Sequence, residues 1–201
     1  MARVSCWVYD VSRGKMKASS LETLGTQIDF VPHTGIVVHW PTGATEYTFG
    51  RGLMVTDPGK GMPYTKIEEI DLGTTAITEA ELMDHLASIH KQYTDATYDL
   101  VNHSCTHFCC MLSRYLGVEP PPSRIMNMLD ALYATPQGEA LRIRSVEQFK
   151  AMQSFPAPPG SHYFESNSLV KNNDAALAKL ASIEKDYGPI GKASGLEECG
   201  L

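Results

Sequence analysis

Residues 34–49 constrain the fold of this chain most. Two runs rich in β-branched and aromatic side chains, TGIVVHW and TEYTF, flank Pro41-Thr42-Gly43-Ala44. Proline presets the backbone for the second position of a tight turn, and a glycine two residues on supplies a left-handed conformation. The spacing predicts a type I turn closed by a glycine bulge, and therefore an antiparallel hairpin. A lone hairpin is marginal in water, so its apolar face needs further strands or helices against it.

The flanking sequence offers both. CWVYDV at 6–11 reads as a strand and KIEEIDL at 66–72 as an edge strand. Between them Gly50, Gly52, Pro58, Gly59, Gly61 and Pro63 mark an irregular loop. Residues 78–93 read as a helix: Thr78 and Glu81 make a capping box, and Leu82, Leu86, Ile89 and Tyr93 share one face. A second helix is expected over 104–116, capped by Ser104, striped by Phe108, Met111, Leu112, Tyr115 and Leu116, and ended by Gly117. A third is expected over 124–134, with Ile125, Met128, Leu129 and Leu132 on one side. The fold class is therefore α+β, a small antiparallel sheet packed against helices. Residues 1–154 are expected to form this domain. Residues 155–168, with PAPPG and SHYFESNS, read as a Pro-rich linker. The remaining tail, 169–201, carries Leu177, Leu180 and Ile183 at the spacing of an amphipathic helix.

A chain of 201 residues that is 43% hydrophobic and 20% charged can bury one ordinary core. Its net charge of −6, with scattered Lys and Arg, does not suit a phosphate-backbone binder, so nucleic acid is not an expected partner. No run approaches the roughly 20 apolar residues of a membrane span, and the first residues lack an apolar stretch of signal-peptide length. The expectation is a cytoplasmic or nuclear location, with all five cysteines as free thiols.

Three of those cysteines, Cys105, Cys109 and Cys110, fall within six residues, beside His103 and His107. Three readings compete. As the first residue of a helix, Cys105 meets unpaired backbone N–H groups and the positive end of the dipole, which favour thiolate and could receive an oxyanion. As a metal site, His103 with His107 and Cys105 with Cys109 each have one-turn spacing. The two pairs lie roughly 200° apart around the helix, so one ion could not collect all four. As core, small thiols fill gaps beside Phe108 and Leu112, the preferred reading for Cys109 and Cys110. A nucleophilic Cys105 needs a base from elsewhere in the chain. His33, after Pro32 at a strand entry, is one candidate. His39 shares its parity roughly 20 Å further along. Spacing leaves both open, while His85 and His90 fall in the capped helix and His162 in the linker.

VYDVSRG at 8–14, HTGIVV at 33–38, EYTFGRG at 46–52, YDLVNHSCTHF at 98–108 and TPQGEALR at 135–142 occur in an order that resembles the PPPDE family. These are permuted papain-fold peptidases, and the nearest likeness is to the desumoylating isopeptidases. The resemblance implies a papain-like catalytic domain over 1–154 and a catalytic dyad of Cys105 and His33. It implies no cofactor and no metal. It also implies conjugates of a ubiquitin-like modifier, SUMO or ubiquitin, as substrate, and a possible homodimer. Ser104 and Thr106 stand where the family pattern has asparagine, which removes an amide donor next to the thiol. Two other functions stay open: a protein acyl-thioesterase using the same dyad, and a non-catalytic metal-binding or adaptor module.

Overall fold

The computed structural model describes residues 1–140, 142–144, 162–163 and 185. Its centre is one antiparallel sheet of β1 (Ala2–Asp10), β2 (Pro32–Trp40), β3 (Gly43–Phe49), β4 (Leu53–Thr56), β5 (Lys66–Thr75) and β6 (His162–Tyr163), in the order β5-β1-β2-β3-β4-β6. The expected hairpin is β2–β3, with a tighter turn than the expected four residues. Trp40 pairs with Gly43, so only Pro41 and Thr42 stand outside the ladder, and Gly43 takes φ 142°. β5 is an edge strand, as its mixed charges foretold.

Because side chains alternate, the sheet has two distinct faces. One carries Val4, Cys6, Val8, Ile36, Val38, Tyr47 and Phe49. It packs against Leu82 and Leu86 of α2 (Glu79–Ile89) and Phe108, Leu112 and Leu116 of α3 (Cys105–Leu116). This is the main core, and it bears out the α+β class. α2 keeps its Thr78–Glu81 capping box, and Gly117 ends α3 in the left-handed conformation at φ 70°. Thr75 Oγ1 donates to the Leu116 carbonyl at 2.7 Å, and Glu119 N–H to the Leu72 carbonyl at 3.1 Å, tying the end of α3 to β5. The other face carries Ser5, Tyr9, His33, Val37, Glu46 and Thr48, all buried.

Three expectations need correction. Residues 50–63 are not wholly loop, because LMVT forms β4; four residues between glycine-rich segments are too few for a visible alternation. The helix expected over 124–134 is two short helices, α4 (Ser123–Met126) and α5 (Asp130–Tyr133), separated at Asn127. α1 (Lys15–Leu24) was not foreseen: its apolar positions are few, and Leu21 is 61% exposed. His162 and Tyr163, inside the expected linker, pair with Val55 and Met54 of β4. The rest of the linker, and the tail helix over 169–187 apart from Lys185, lie outside the described residues. No helix among the described residues is long and apolar enough to cross a membrane.

The start of β2 is fixed by Asp10, at the end of β1. Its carboxylate accepts from Ser12 N–H (2.9 Å), Ser12 Oγ (2.6 Å), Gly14 N–H (2.6 Å) and Val31 N–H (3.2 Å). The excursion through α1 is thereby closed at both ends, and β2 begins at Pro32, one residue before His33. Further along the hairpin, Gly35 lies against Glu46, and a Cβ at that position would collide with Glu46 Oε1. That carboxylate is held by the Tyr9 hydroxyl and the Gly59 N–H, each donating at 2.8 Å, so it has little freedom to retreat. Gly35→Ala is expected to cost about 1–3 kcal/mol, the usual penalty for overpacking a filled site. Urea unfolding measures this, and an unchanged midpoint would show that Glu46 swings aside.

Candidate active site

α3 and the start of β2 bring Cys105 and His33 together. Cys105 is the first residue of α3, which begins there because Ser104 is extended and its carbonyl accepts the first helical bond from Phe108 N–H at 3.0 Å. The Ser104 N–H donates to His107 Nδ1 at 3.3 Å, and the Ser104 hydroxyl lies 2.9 Å from the same nitrogen and 2.9 Å from Thr106 Oγ1. Ser104 thus closes the helix start with His107 as its reciprocal partner. This is a use for His107 that spacing did not reveal.

The Cys105 side chain is 3% exposed and His33 6% exposed, and the two side chains are hydrogen-bonded. Burial alone pushes the Cys105 thiol up. The charge of His33 and its hydrogen bond outweigh that, with help from the Thr34 N–H, and lower the thiol to about 7. For His33, burial pulls the imidazole down, but the charge and hydrogen bond of Cys105, and then the charge of Glu46, leave it raised. Both directions favour thiolate beside imidazolium. Cys109, one turn further along the same helix, moves oppositely. Burial pushes it well up, and its neighbour is the Cys6 thiol rather than a base. Its side chain belongs to the core, as expected.

The surroundings complete the picture. His33 Nε2 lies 2.8 Å from Thr48 Oγ1, and the Tyr9 ring stands 6.2 Å away, tilted by 44°. The Tyr98 hydroxyl contacts both the sulfur and the N–H of Cys105, and burial with the nearby thiolate raises its pKa well above the usual phenol range. Tyr98 also lines the cleft at Cys105, with Pro32, Val101, Leu129 and Tyr133; the cleft encloses about 40 Å³. His39 sits at the far end of β2, where Nε2 accepts from Arg3 at 3.0 Å, so it does not compete for Cys105. His103 donates from Nδ1 to the Thr97 carbonyl at 2.9 Å and stacks on Tyr93. His85 stacks on Tyr115, and its imidazole is lowered by burial. Among the described residues, no three His, Cys, Asp or Glu side chains gather as a metal site.

Thr34, Thr48 and Tyr98 complete the surroundings of the pair. Thr34 adjoins His33, and Thr48 lies on the same face two positions across the hairpin, since Gly35 pairs with Thr48. The register was the signal that could have found Thr48.

A thiol beside an imidazole at a helix start, in a cleft between sheet and helices, is the arrangement of a cysteine hydrolase. The chain matches the PPPDE peptidase domain over residues 2–145, and it belongs to that family of cysteine-type peptidases. Among curated proteins it is similar to desumoylating isopeptidase 1 of Homo sapiens, with 31% identity over 141 residues, covering 69% of this chain and 82% of the relative. The Rattus norvegicus and Xenopus laevis proteins of that name align to the same extent, with 82% and 81% of their lengths covered.

Ionisation should override exposure in deciding which thiol reacts. Cys105 is expected to be alkylated by iodoacetamide before the more exposed Cys110, with Cys109 last. Thiolate forms above the pKa, so the Cys105 rate should climb through pH near 7, rather than around the usual 8.5. Peptide mass spectrometry across pH 5–9 checks both, and earlier labelling of Cys110 would reverse the assignment.

Proposed function

We propose that the protein is an isopeptidase that removes a ubiquitin-like modifier, of the SUMO or ubiquitin type, from its conjugates through a Cys105–His33 dyad. The observation that carries this reading is the meeting of the Cys105 thiol, at the first residue of α3, with the buried His33 imidazole from the start of β2, where each group favours the charged form of the other. His33 takes the thiol proton, and the sulfur attacks the carbonyl carbon of the modifier's C-terminal residue. The oxyanion develops beside the Cys105 N–H, with the Tyr98 hydroxyl as a second donor. His33 returns the proton to the departing lysine amine, and water then hydrolyses the thioester. Residues 1–154 act as the catalytic domain, in the cytoplasm or nucleus.

The cleft at Cys105, of about 40 Å³, is narrow, with room for only a few water molecules. Such a slot suits an extended tail of small residues better than a long acyl chain, which favours the isopeptidase over the thioesterase. The test uses SUMO and ubiquitin carrying a C-terminal electrophile, beside a palmitoyl-thioester substrate. Covalent capture of one modifier through Cys105, with slow thioester turnover, is expected. Fast deacylation without modifier capture overturns the choice. Cys105→Ser and His33→Ala should each lower turnover by at least about 10², while His39→Ala should retain most activity. Comparable losses at His33 and His39, in folded variants, would remove His33 as the base.

A further inference from the structure

We infer that Thr48 is a positioning residue that fixes the tautomer and direction of the His33 ring for the Cys105 thiol. The inference deepens the dyad reading and rests on it.

The Thr48 hydroxyl lies 2.9 Å from the Thr34 carbonyl oxygen and 2.8 Å from His33 Nε2. A hydroxyl has one proton, and a carbonyl can only accept, so that proton goes to Thr34. The Thr48 oxygen then faces Nε2 as an acceptor, and Nε2 must carry hydrogen. A neutral imidazole has a single N–H, which leaves Nδ1 with its lone pair free for the thiol proton. Once Nδ1 is protonated, the Nε2–H···Oγ1 bond persists unchanged. One bond thus serves both charge states, and the chain from imidazole through hydroxyl to carbonyl is polarised in the sense that steadies the cation.

The groups that face His33 are Cys105 from α3, Tyr9 from β1, and Glu46 and Thr48 from β3. Both Glu46 oxygens are engaged elsewhere, with Tyr9 and Gly59, so Glu46 acts on the ring as a charge at a distance. The bond at Nε2 falls to Thr48. Thr48 is 1% exposed, and no solvent stands ready to replace its oxygen.

The test compares Thr48→Val, which keeps the shape and removes the hydroxyl, with Thr48→Ser, which keeps the hydroxyl. Three quantities are read: the ¹⁵N shifts of His33, the pH profile of Cys105 alkylation, and kcat on a modifier conjugate. Above the pH at which His33 loses its proton, the native protein should show the Nε2–H tautomer. Thr48→Val should lose that preference, raise the alkylation midpoint and lower kcat about tenfold or more, with KM little changed. Thr48→Ser should stay close to native in all three. An Nδ1–H tautomer in the native protein overturns the inference even if Thr48→Val fails to fold. So does a folded Thr48→Val with native shifts and profile, or a Thr48→Ser as impaired as Thr48→Val. A native Cys105 that titrates like an ordinary thiol would instead remove the dyad, and the ¹⁵N shifts would still judge Thr48.

Discussion

The site depends on a carboxylate that takes no part in its chemistry. Asp10 accepts four hydrogen bonds from the segment that leaves β1 and from the residue that precedes β2. Buried polar groups of this kind are costly when half satisfied and rigidifying when fully satisfied. By gathering these donors, Asp10 converts a long surface excursion into a closed loop and delivers Pro32 and His33 to a fixed place. Arg13 and Gly14, both at positive φ, supply the tight turn that brings the Gly14 N–H around to the carboxylate.

What the fixed place achieves is visible in two cysteines of one helix. Cys105 and Cys109 are both buried, and burial acts on both in the same direction. Their titration diverges because one meets an imidazole and the N–H of Thr34, while the other meets a second thiol. Reactivity therefore comes from the partner rather than from exposure. Tyr98 lies against the sulfur on the cleft side.

Much of this was legible in the sequence, for reasons that differ by element. The β2–β3 hairpin, α2 and α3 carried period, turn and cap signals together, and the structure follows them. The pairing of His33 with Cys105 rested on separated blocks that resemble a family; spacing alone left His33 and His39 open, and only tertiary contact separates them. α1 and β4 were hidden, one because its apolar face is thin, the other because four residues cannot display a pattern. Thr48, Thr34 and Asp10 escaped for another reason. Threonine in a strand and aspartate before a turn are ordinary, and their importance lies in which atom they face across a fixed register.

That register has a consequence for which length changes the chain can accommodate. The two-residue turn at Pro41 and Thr42 keeps Gly35 opposite Thr48 and Val37 opposite Glu46. An insertion of one residue there would shift the pairing and send Thr48 and Glu46 to the face of the helices, while placing Tyr47 and Phe49 beside His33. The turn lies at the far end of β2 from the dyad, yet it works as a ruler. Loop lengths that other hairpins exchange freely are, in this one, measured against the imidazole.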